Sequence, residues 1–342
     1  MTFNMLKIEI LLLTNNVILP FQNLKRDFNL DFVELNKLFA TKSLAEHGLG
    51  FLINIYEKDE LSADFNLIKK IIFDTGGTNQ TFLHNLDVRG YPIYDTDIIV
   101  LSHWHYDHSG GLYNILERIE KPVSILCHES ATYERFFNRT VEIDPKTLLN
   151  KKRSEIVELL NSSKVVNQLP IDIERIERFG GKLVKHKTLK TIFTKDLLKM
   201  MVSGEIPRTH KEETFSNFLI NKDGVITIDK ILDDKCLIIE LGNSTILLNG
   251  CCHSGIMNTL DYVKENSNKP ISHIIGGFHM ANSTQERIDA TLDFLSNYQE
   301  EKVLLFPIHC SGENFIKNIN ARNFSNVRAF NASVGTIFNF FS

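Results

Sequence analysis

Apolar residues along this chain gather into short, β-branched runs separated by polar and glycine-bearing stretches. Runs of this kind read as strands buried on one or both faces. Five fall in the first half, at 8–13, 50–56, 69–76, 97–103 and 123–128, and four in the second, at 235–241, 244–250, 272–277 and 302–309. Between them the spacing of apolar positions turns helical. The segment 78–90 predicts one helix, with Thr78 or Asn79 as its cap, and 258–266 predicts a second. A third is predicted over 283–299, where Ser283 or Thr284 followed by Glu286 has the look of a helix start. Strands come first in hairpin-like succession and later alternate with helices, in both halves of the chain. That order predicts an α/β fold, an αββα sandwich of two mixed β-sheets with outer helices. The stretch 129–200 breaks the pattern: it is rich in Lys and Glu, and 148–163 has helical apolar spacing. We read 1–342 as a single domain carrying a mostly helical insertion at about 129–200.

Composition narrows the class without naming a chemistry. Hydrophobic residues make up 43% of the 342 positions and charged ones 23%, enough to bury a substantial core. The net charge of −4 leaves no basic excess to neutralise a phosphate backbone, so general nucleic-acid binding is not expected. Five cysteines in so long a chain, two of them adjacent at Cys251 and Cys252, do not make a disulfide framework and favour a reducing compartment. The N-terminal apolar run is short, follows Glu9 and lacks a small-residue cleavage site, so it reads as a strand rather than a secretion signal. No run approaches the roughly 20 apolar residues of a membrane span. The expectation is a cytoplasmic protein acting on a small-molecule substrate, with no membrane partner and with homo-oligomerisation left open.

The chemistry is concentrated after the run 97–101. His103, His105, Asp107 and His108 fall within six residues, followed by Gly110 and Gly111. At a strand end the chain leaves the sheet, and side chains at odd spacing can turn toward one point. Imidazole nitrogen and carboxylate oxygen suit Zn²⁺, Fe or Mn²⁺. Four donors exceed what one catalytic ion with an open position uses, so the cluster points to two divalent ions, Zn²⁺ first among them. Twelve histidines in the chain make an isolated one unremarkable, but three at i, i+2 and i+5 with an aspartate at i+4 are a poor match to chance. Later strand-like runs end in His253, His279 and His309, the position at which loops carry chemistry.

These residues carry a resemblance. His103-Trp104-His105-Tyr106-Asp107-His108 is similar to the His-x-His-x-Asp-His signature of the metallo-β-lactamase superfamily, and 71–77 with Asp74 resembles its upstream motif. Further blocks at 43–53, 203–208, 250–260, 274–280 and 307–312 resemble the branch named for 7,8-dihydropterin-6-methyl-4-(β-D-ribofuranosyl)aminobenzene-5′-phosphate synthase, an enzyme of methanopterin biosynthesis. The resemblance covers most of the chain apart from 129–200. It implies metal ligands at His103, His105, Asp107, His108, His253 and His309, with Asp107 also catalytic, and an Asp74 that orients a ligand histidine. The bridging aspartate usual in the superfamily is missing, and Cys251 stands in its place. His253 is therefore expected to take over as ligand, with Cys251 behind it, while His279 is left open between metal and substrate. Glu46 and His47 are expected at the pocket wall, and Glu205 and Arg208 at the substrate, Arg208 gripping an anionic group. The implied activity is that of a metallohydrolase using a metal-activated water on a small anionic substrate, phosphorylated or pterin-like. Two alternatives remain: a pyrophosphate-displacing transferase, and an iron-binding redox or sensor protein on the same scaffold.

Overall fold

The computed structural model describes residues 5–58, 64–137, 151–152, 154–156, 158, 166–213 and 218–342. Its strands, in chain order, are β1 (Met5–Thr14), β2 (Val33–Glu34), β3 (Gly50–Lys58), β4 (Asn66–Thr75), β5 (Ile98–Val100), β6 (Val123–Cys127), β7 (Glu134–Phe137), β8 (Val166–Gln168) and β9 (Gly181–Lys185). They continue with β10 (Lys190–Lys195), β11 (Leu198–Val202), β12 (Phe218–Lys222), β13 (Val225–Ile228), β14 (Cys236–Leu241), β15 (Ser244–Asn249), β16 (Ile271–Gly276), β17 (Val303–Pro307), β18 (Val327–Ala329) and β19 (Ile337–Phe341). Among the described residues one sheet runs β2-β19-β1-β3-β4-β5-β6-β9 and a second β10-β11-β14-β15-β16-β17-β18. Each is antiparallel at one side and parallel at the other, with β4-β5-β6-β9 and β15-β16-β17-β18 as the parallel parts.

Alternation along the strands explains the layering. In β1, Ile8, Ile10 and Leu12 enter the core between the sheets, where they meet Leu237, Ile239 and Leu248 of the second sheet. The intervening Leu11 and Leu13 face outward and pack under the helix Thr81–Arg89 through Phe82 and Leu86. The second sheet repeats this: Leu247 and Ile238 turn away from the centre onto Ile256, Leu260 and Leu292 of the helices Ile256–Asn266 and Gln285–Asn297. Each sheet is thus greasy on both faces, and each face needs a cover, which yields the αββα sandwich expected from the sequence. A fully buried Leu or Ile contributes about 1.5–3 kcal/mol to this arrangement. No helix among the described residues is long and apolar enough to cross a membrane.

Two features depart from expectation. The described part of 129–200 holds more strand than helix: β9 extends the first sheet and β10 and β11 the second, beside helix at 154–156 and 158, the short helix Ile173–Arg178 and a 3₁₀ turn at Glu129–Thr132. Its polar residues mislead because β10 is an edge strand with a half-exposed face. Most of the helical pattern at 148–163 lies outside the described residues. The second departure is a third sheet, β13-β12-β7-β8, assembled from chain segments far apart in sequence. Its anchor is Arg135 on β7, buried between Asp229 and Asp233.

Sheet direction positions the site. Strands β1, β4, β5, β15, β16 and β17 all end at the same rim of the sandwich, because β1 and β4 both run antiparallel to β3 and the parallel pairs keep their neighbours in step. The last residues of these six strands and the segments that follow them hold Asp74, at the end of β4, with Asn15 and Asn16, 102–108, 250–255, His279 and His309.

A candidate metal centre at the strand ends

The rim brings together donors from four distant segments. His103, His105 and His253 form one group, and Asp107, His108, Cys251 and His309 a second, with the ligand atoms of each within 4.8 Å of one another. Cys251 also groups with His253 and His279. The two groups touch: the rings of His103 and His108 lie 4.2 Å apart, centroid to centroid, and those of His253 and His279 also 4.2 Å. The sequence posed Cys251 and His253 as rivals for one place. In the fold both sit beside His279 and otherwise part, His253 joining His103 and His105 and Cys251 joining Asp107, His108 and His309, with the backbone turning between them at Cys252, whose φ is +64°.

Backbone strain gathers here. Asp74, Cys252, His279 and His309 all adopt left-handed φ, between +48° and +64°, a region that side chains other than glycine and asparagine rarely enter. Close approach is equally demanding. A Cβ on Gly250 would stand 2.2 Å from Ser102 Oγ, so only glycine lets the 250–255 loop lie against the metal-motif loop.

Hydrogen bonds orient the imidazoles and define their lone pairs. Asp74 accepts from Ser102 N at 2.7 Å, from Ser102 Oγ at 2.6 Å and from His108 Nδ1 at 2.6 Å. With its proton given to Asp74, the Ser102 hydroxyl accepts from His103 Nδ1 at 2.9 Å. His309 Nδ1 donates to Asn16 Oδ1 at 3.0 Å, and Asn15 Oδ1 receives the His309 backbone N–H at 3.0 Å. Each of these three rings therefore spends Nδ1–H on an outer partner and turns Nε2 toward the centre. His108 Nε2 then lies 3.2 Å from His309 Nε2 and 3.0 Å from Cys251 Sγ, while Asp107 Oδ2 is 3.3 Å from His309 Nε2. His103 Nε2 is buried with no hydrogen-bond partner among the described residues. Electron pairs converging at such distances call for a positive charge between them, so the residues present fit a metal.

Electrostatics agrees. Burial, with the neighbouring imidazoles adding to it, holds His103, His105 and His253 well below the ordinary histidine range, so they stay neutral and able to ligate. His108 is opposite: burial opposes its charge, but Asp74 and Asp107 outweigh burial and lift it to about 9. Burial alone would raise Asp107, yet the His108 charge and hydrogen bonds from His309 and His47 keep its carboxyl well below the usual range. Burial and the Cys310 thiol beside it push Cys251 well above.

The outer residues expected from the sequence fall in different places. His47 reaches the centre, with Nε2 3.4 Å from Asp107 Oδ2 and its ring 4.9 Å from that of His309. Glu46 instead accepts the backbone N–H groups of Gly77 and Thr78, holding the loop after β4. Arg208 places both terminal nitrogens on backbone carbonyls, those of His253 and Ile231, each at 3.1 Å. That grip steadies the His253 loop. Glu205 pairs with His128 Nε2 at 2.8 Å, outside the donor groups. The sequence reading passed over Asn15, Asn16 and Ser102. Their signal was position alone, polar residues directly after the strand-like runs 8–13 and 97–101, and no spacing tied them to the histidines they orient.

Comparison with known proteins gives the same direction. Residues 68–188 match the family model described as metallo-beta-lactamase superfamily. The chain is 27% identical over 269 residues to a protein of Methanocaldococcus jannaschii named 7,8-dihydropterin-6-methyl-4-(beta-D-ribofuranosyl)-aminobenzene-5'-phosphate synthase, covering 78% of this chain and 82% of that one. It is 29% identical over 279 residues to a second protein of that organism, described as uncharacterized, with 79% and 86% covered. A solved structure described as a metal-dependent hydrolase of the beta-lactamase superfamily superposes with a TM-score of 0.64 at 19% identity, over 97% of this chain and 98% of the other. At that identity the likeness speaks for the fold.

Proposed function

We propose that this chain, whose residues 68–188 match the metallo-β-lactamase superfamily model, is a metallohydrolase with a dinuclear centre acting on a small anionic substrate. The observation that carries this reading is the pair of adjoining donor groups, His103/His105/His253 and Asp107/His108/Cys251/His309. Zn²⁺ suits the three neutral imidazoles of the first group. When bound, divalent ions would supply Lewis acidity toward a substrate oxygen and make water a usable nucleophile near neutral pH.

The chain's own residues do the rest. Asp107, held ionised at the junction of the groups, is the base within reach of a proton released there, and His47 Nε2 at 3.4 Å can carry that proton outward because its side chain is 54% exposed. Asp74 holds His108 directly and His103 through Ser102, so one carboxylate orients a member of each group. The name of the Methanocaldococcus relative brings a phosphorylated, pterin-like molecule into the proposal, and the pyrophosphate-displacing transfer implied by the sequence resemblance is the alternative outcome at the same centre. Iron, which the same His, Asp and Cys donors suit as well as zinc does, is the alternative occupant, and with it a redox or sensor role.

Elemental analysis of the purified full chain tests the reading. About two transition-metal ions per chain are expected, with His103→Ala losing most of one and His210→Ala losing none, since His210 pairs with Asp261 away from both groups. Less than half an ion after reconstitution, or equal content in both variants, overturns it.

A further inference from the structure

Glu205, outside both donor groups, belongs to a second cluster of reactive side chains. His128 follows strand β6 and caps the 3₁₀ turn Glu129–Thr132, its Nδ1 lying 3.1 Å from the Ser130 backbone nitrogen. A backbone N–H can only donate, so Nδ1 is the bare ring nitrogen and Nε2 carries the hydrogen. Nε2–H then donates to Glu205 Oε1 at 2.8 Å. On the other side the Ser130 hydroxyl, 2.8 Å from the bare Nδ1, must be the donor. Arg135, which also only donates, gives an Nη2 hydrogen to the same Ser130 oxygen at 2.9 Å. Capping the turn needs the backbone bond alone; it requires neither a carboxylate behind Nε2 nor a guanidinium on the hydroxyl. Hydroxyl, imidazole and carboxylate stand in the order of a nucleophile, its base and the group that orients the base.

The cluster opens on a cavity of about 550 Å³, which His128, Ser130 and Glu205 line together with residues of β12 and β13 in the third sheet. Its wall is apolar at Tyr133, Ile220, Ile226, Ile228 and Leu232. The lysines of the lining are matched by as many carboxylates, so the cavity has no net charge with which to select an ion. A neutral molecule with an apolar body suits such a space. At the reactive oxygen the charge is different. Asp233 and Asp229 keep the buried Arg135 guanidinium charged. Negative charge developing at the Ser130 oxygen therefore meets a fixed positive one.

We propose that Ser130, His128 and Glu205 form a second catalytic site, independent of the metal centre, which cleaves neutral esters of apolar acids through an acyl-serine. Ser130 Oγ attacks the ester carbonyl carbon as its proton passes to His128 Nδ1. The bond from that carbon to the alcohol oxygen breaks, and the alcohol leaves with the proton. Water then attacks the acyl-serine, giving a proton to Nδ1, and the acid departs as Ser130 regains its hydrogen. Glu205 is a positioning residue: it fixes the tautomer and balances the charge of the imidazolium between the two transfers.

Covalent labelling of the full chain as purified separates this site from the metal centre. Phenylmethylsulfonyl fluoride, a neutral aryl reagent, should sulfonylate Ser130, located by peptide mass spectrometry. It should abolish turnover of p-nitrophenyl butyrate while metal content stays the same. Ser130→Ala should lose the label and lower kcat for that ester by about 10²-fold or more. Glu205→Gln, at a side chain 35% exposed, keeps the packing and an acceptor oxygen but loses the charge. It should slow labelling and kcat about tenfold or more with KM little changed. Absence of label from Ser130 overturns the proposal. So does ester turnover that survives in a fully labelled chain, since the metal centre would then be its source. Labelling of Glu205→Gln as fast as the unaltered chain would reduce His128 and Glu205 to a structural cap, and overturns it equally. A chain that is labelled and inactivated through Ser130 but holds no metal would refute the dinuclear reading and leave this site standing.

Discussion

At the scale of single residues, the centre depends on side chains that never need touch a substrate. Asp74 is fully buried and spends its carboxylate on Ser102 and His108. Asp74→Asn keeps the shape but replaces an acceptor oxygen by a donor, which opposes His108 Nδ1–H and turns that ring toward the wrong tautomer. Metal affinity should fall roughly 10–100-fold, the range typical of losing an outer orienting partner, as read by competition with a chromogenic chelator. Unchanged affinity would mean that the imidazoles hold their orientation without it. The fold also sharpens the comparison of Cys251 with His253. Beyond the group they share with His279, each belongs to a different one, so Cys251→Ser and His253→Ala should each reduce metal content, His253→Ala through the group with His103 and His105. A full complement of metal in Cys251→Ser would place the thiol outside the coordination sphere.

Elements owe their limits to local chemistry that is checkable one cap at a time. The helix Gln285–Asn297 starts where Thr284, in extended conformation, accepts the backbone N–H of Arg287. This picks Thr284 over Ser283 from the two caps open in the sequence, and it leaves Glu286 one position short of a reciprocal capping pair. Thr284→Ala should cost about 1 kcal/mol of stability and Thr284→Ser much less, measured by urea unfolding. Equal stability of the two variants would show that packing of Ile288 and Leu292, not the cap, holds this end. The helix at Thr81–Arg89 was legible from its periodicity, but its cap is Gln80, which makes no side-chain cap bond, rather than the expected Thr78 or Asn79; Thr78 Oγ1 accepts the N–H groups of Gln80 and Thr81 at 3.3 and 3.4 Å. Strand β10 was not legible: a Lys- and Thr-rich edge segment lacks the apolar alternation by which strands are recognised.

At the scale of the whole molecule, the third sheet joins the sandwich through a buried charge cluster. Arg135 on β7 has no exposed surface and lies 2.9 Å from Asp233, whose other oxygen accepts the Trp104 backbone N–H inside the metal-motif loop. Burial would suppress the Arg135 charge, but Asp233 and Asp229 raise its pKa above the ordinary value. Removing the arginine strands two buried carboxylates, so Arg135→Ala should cost about 3–5 kcal/mol. Because Asp233 also braces the 102–108 loop, metal content should fall with it. A stable, fully metallated Arg135→Ala protein would show the third sheet to be energetically independent of the centre.

What the sequence determined by itself was whatever is written in local order. Apolar runs of strand length, helical spacing between them and four donors packed into 103–108 are all short-range patterns, and they were enough for the sandwich and for a metal-binding motif. The tertiary structure alone decided how distant donors are shared out. The sequence could not separate Cys251 from His253, because two residues at a strand end can face either way until a positive φ at Cys252 sets them apart. Nor could it show Asn16 on His309, 293 positions away, or Ser102 passing the Asp74 charge to His103. The third sheet and its cavity are the extreme case. They join β7, β8, β12 and β13 across long separations, and sheet pairing between remote segments is settled by burial and register in the folded chain, quantities that no local pattern contains.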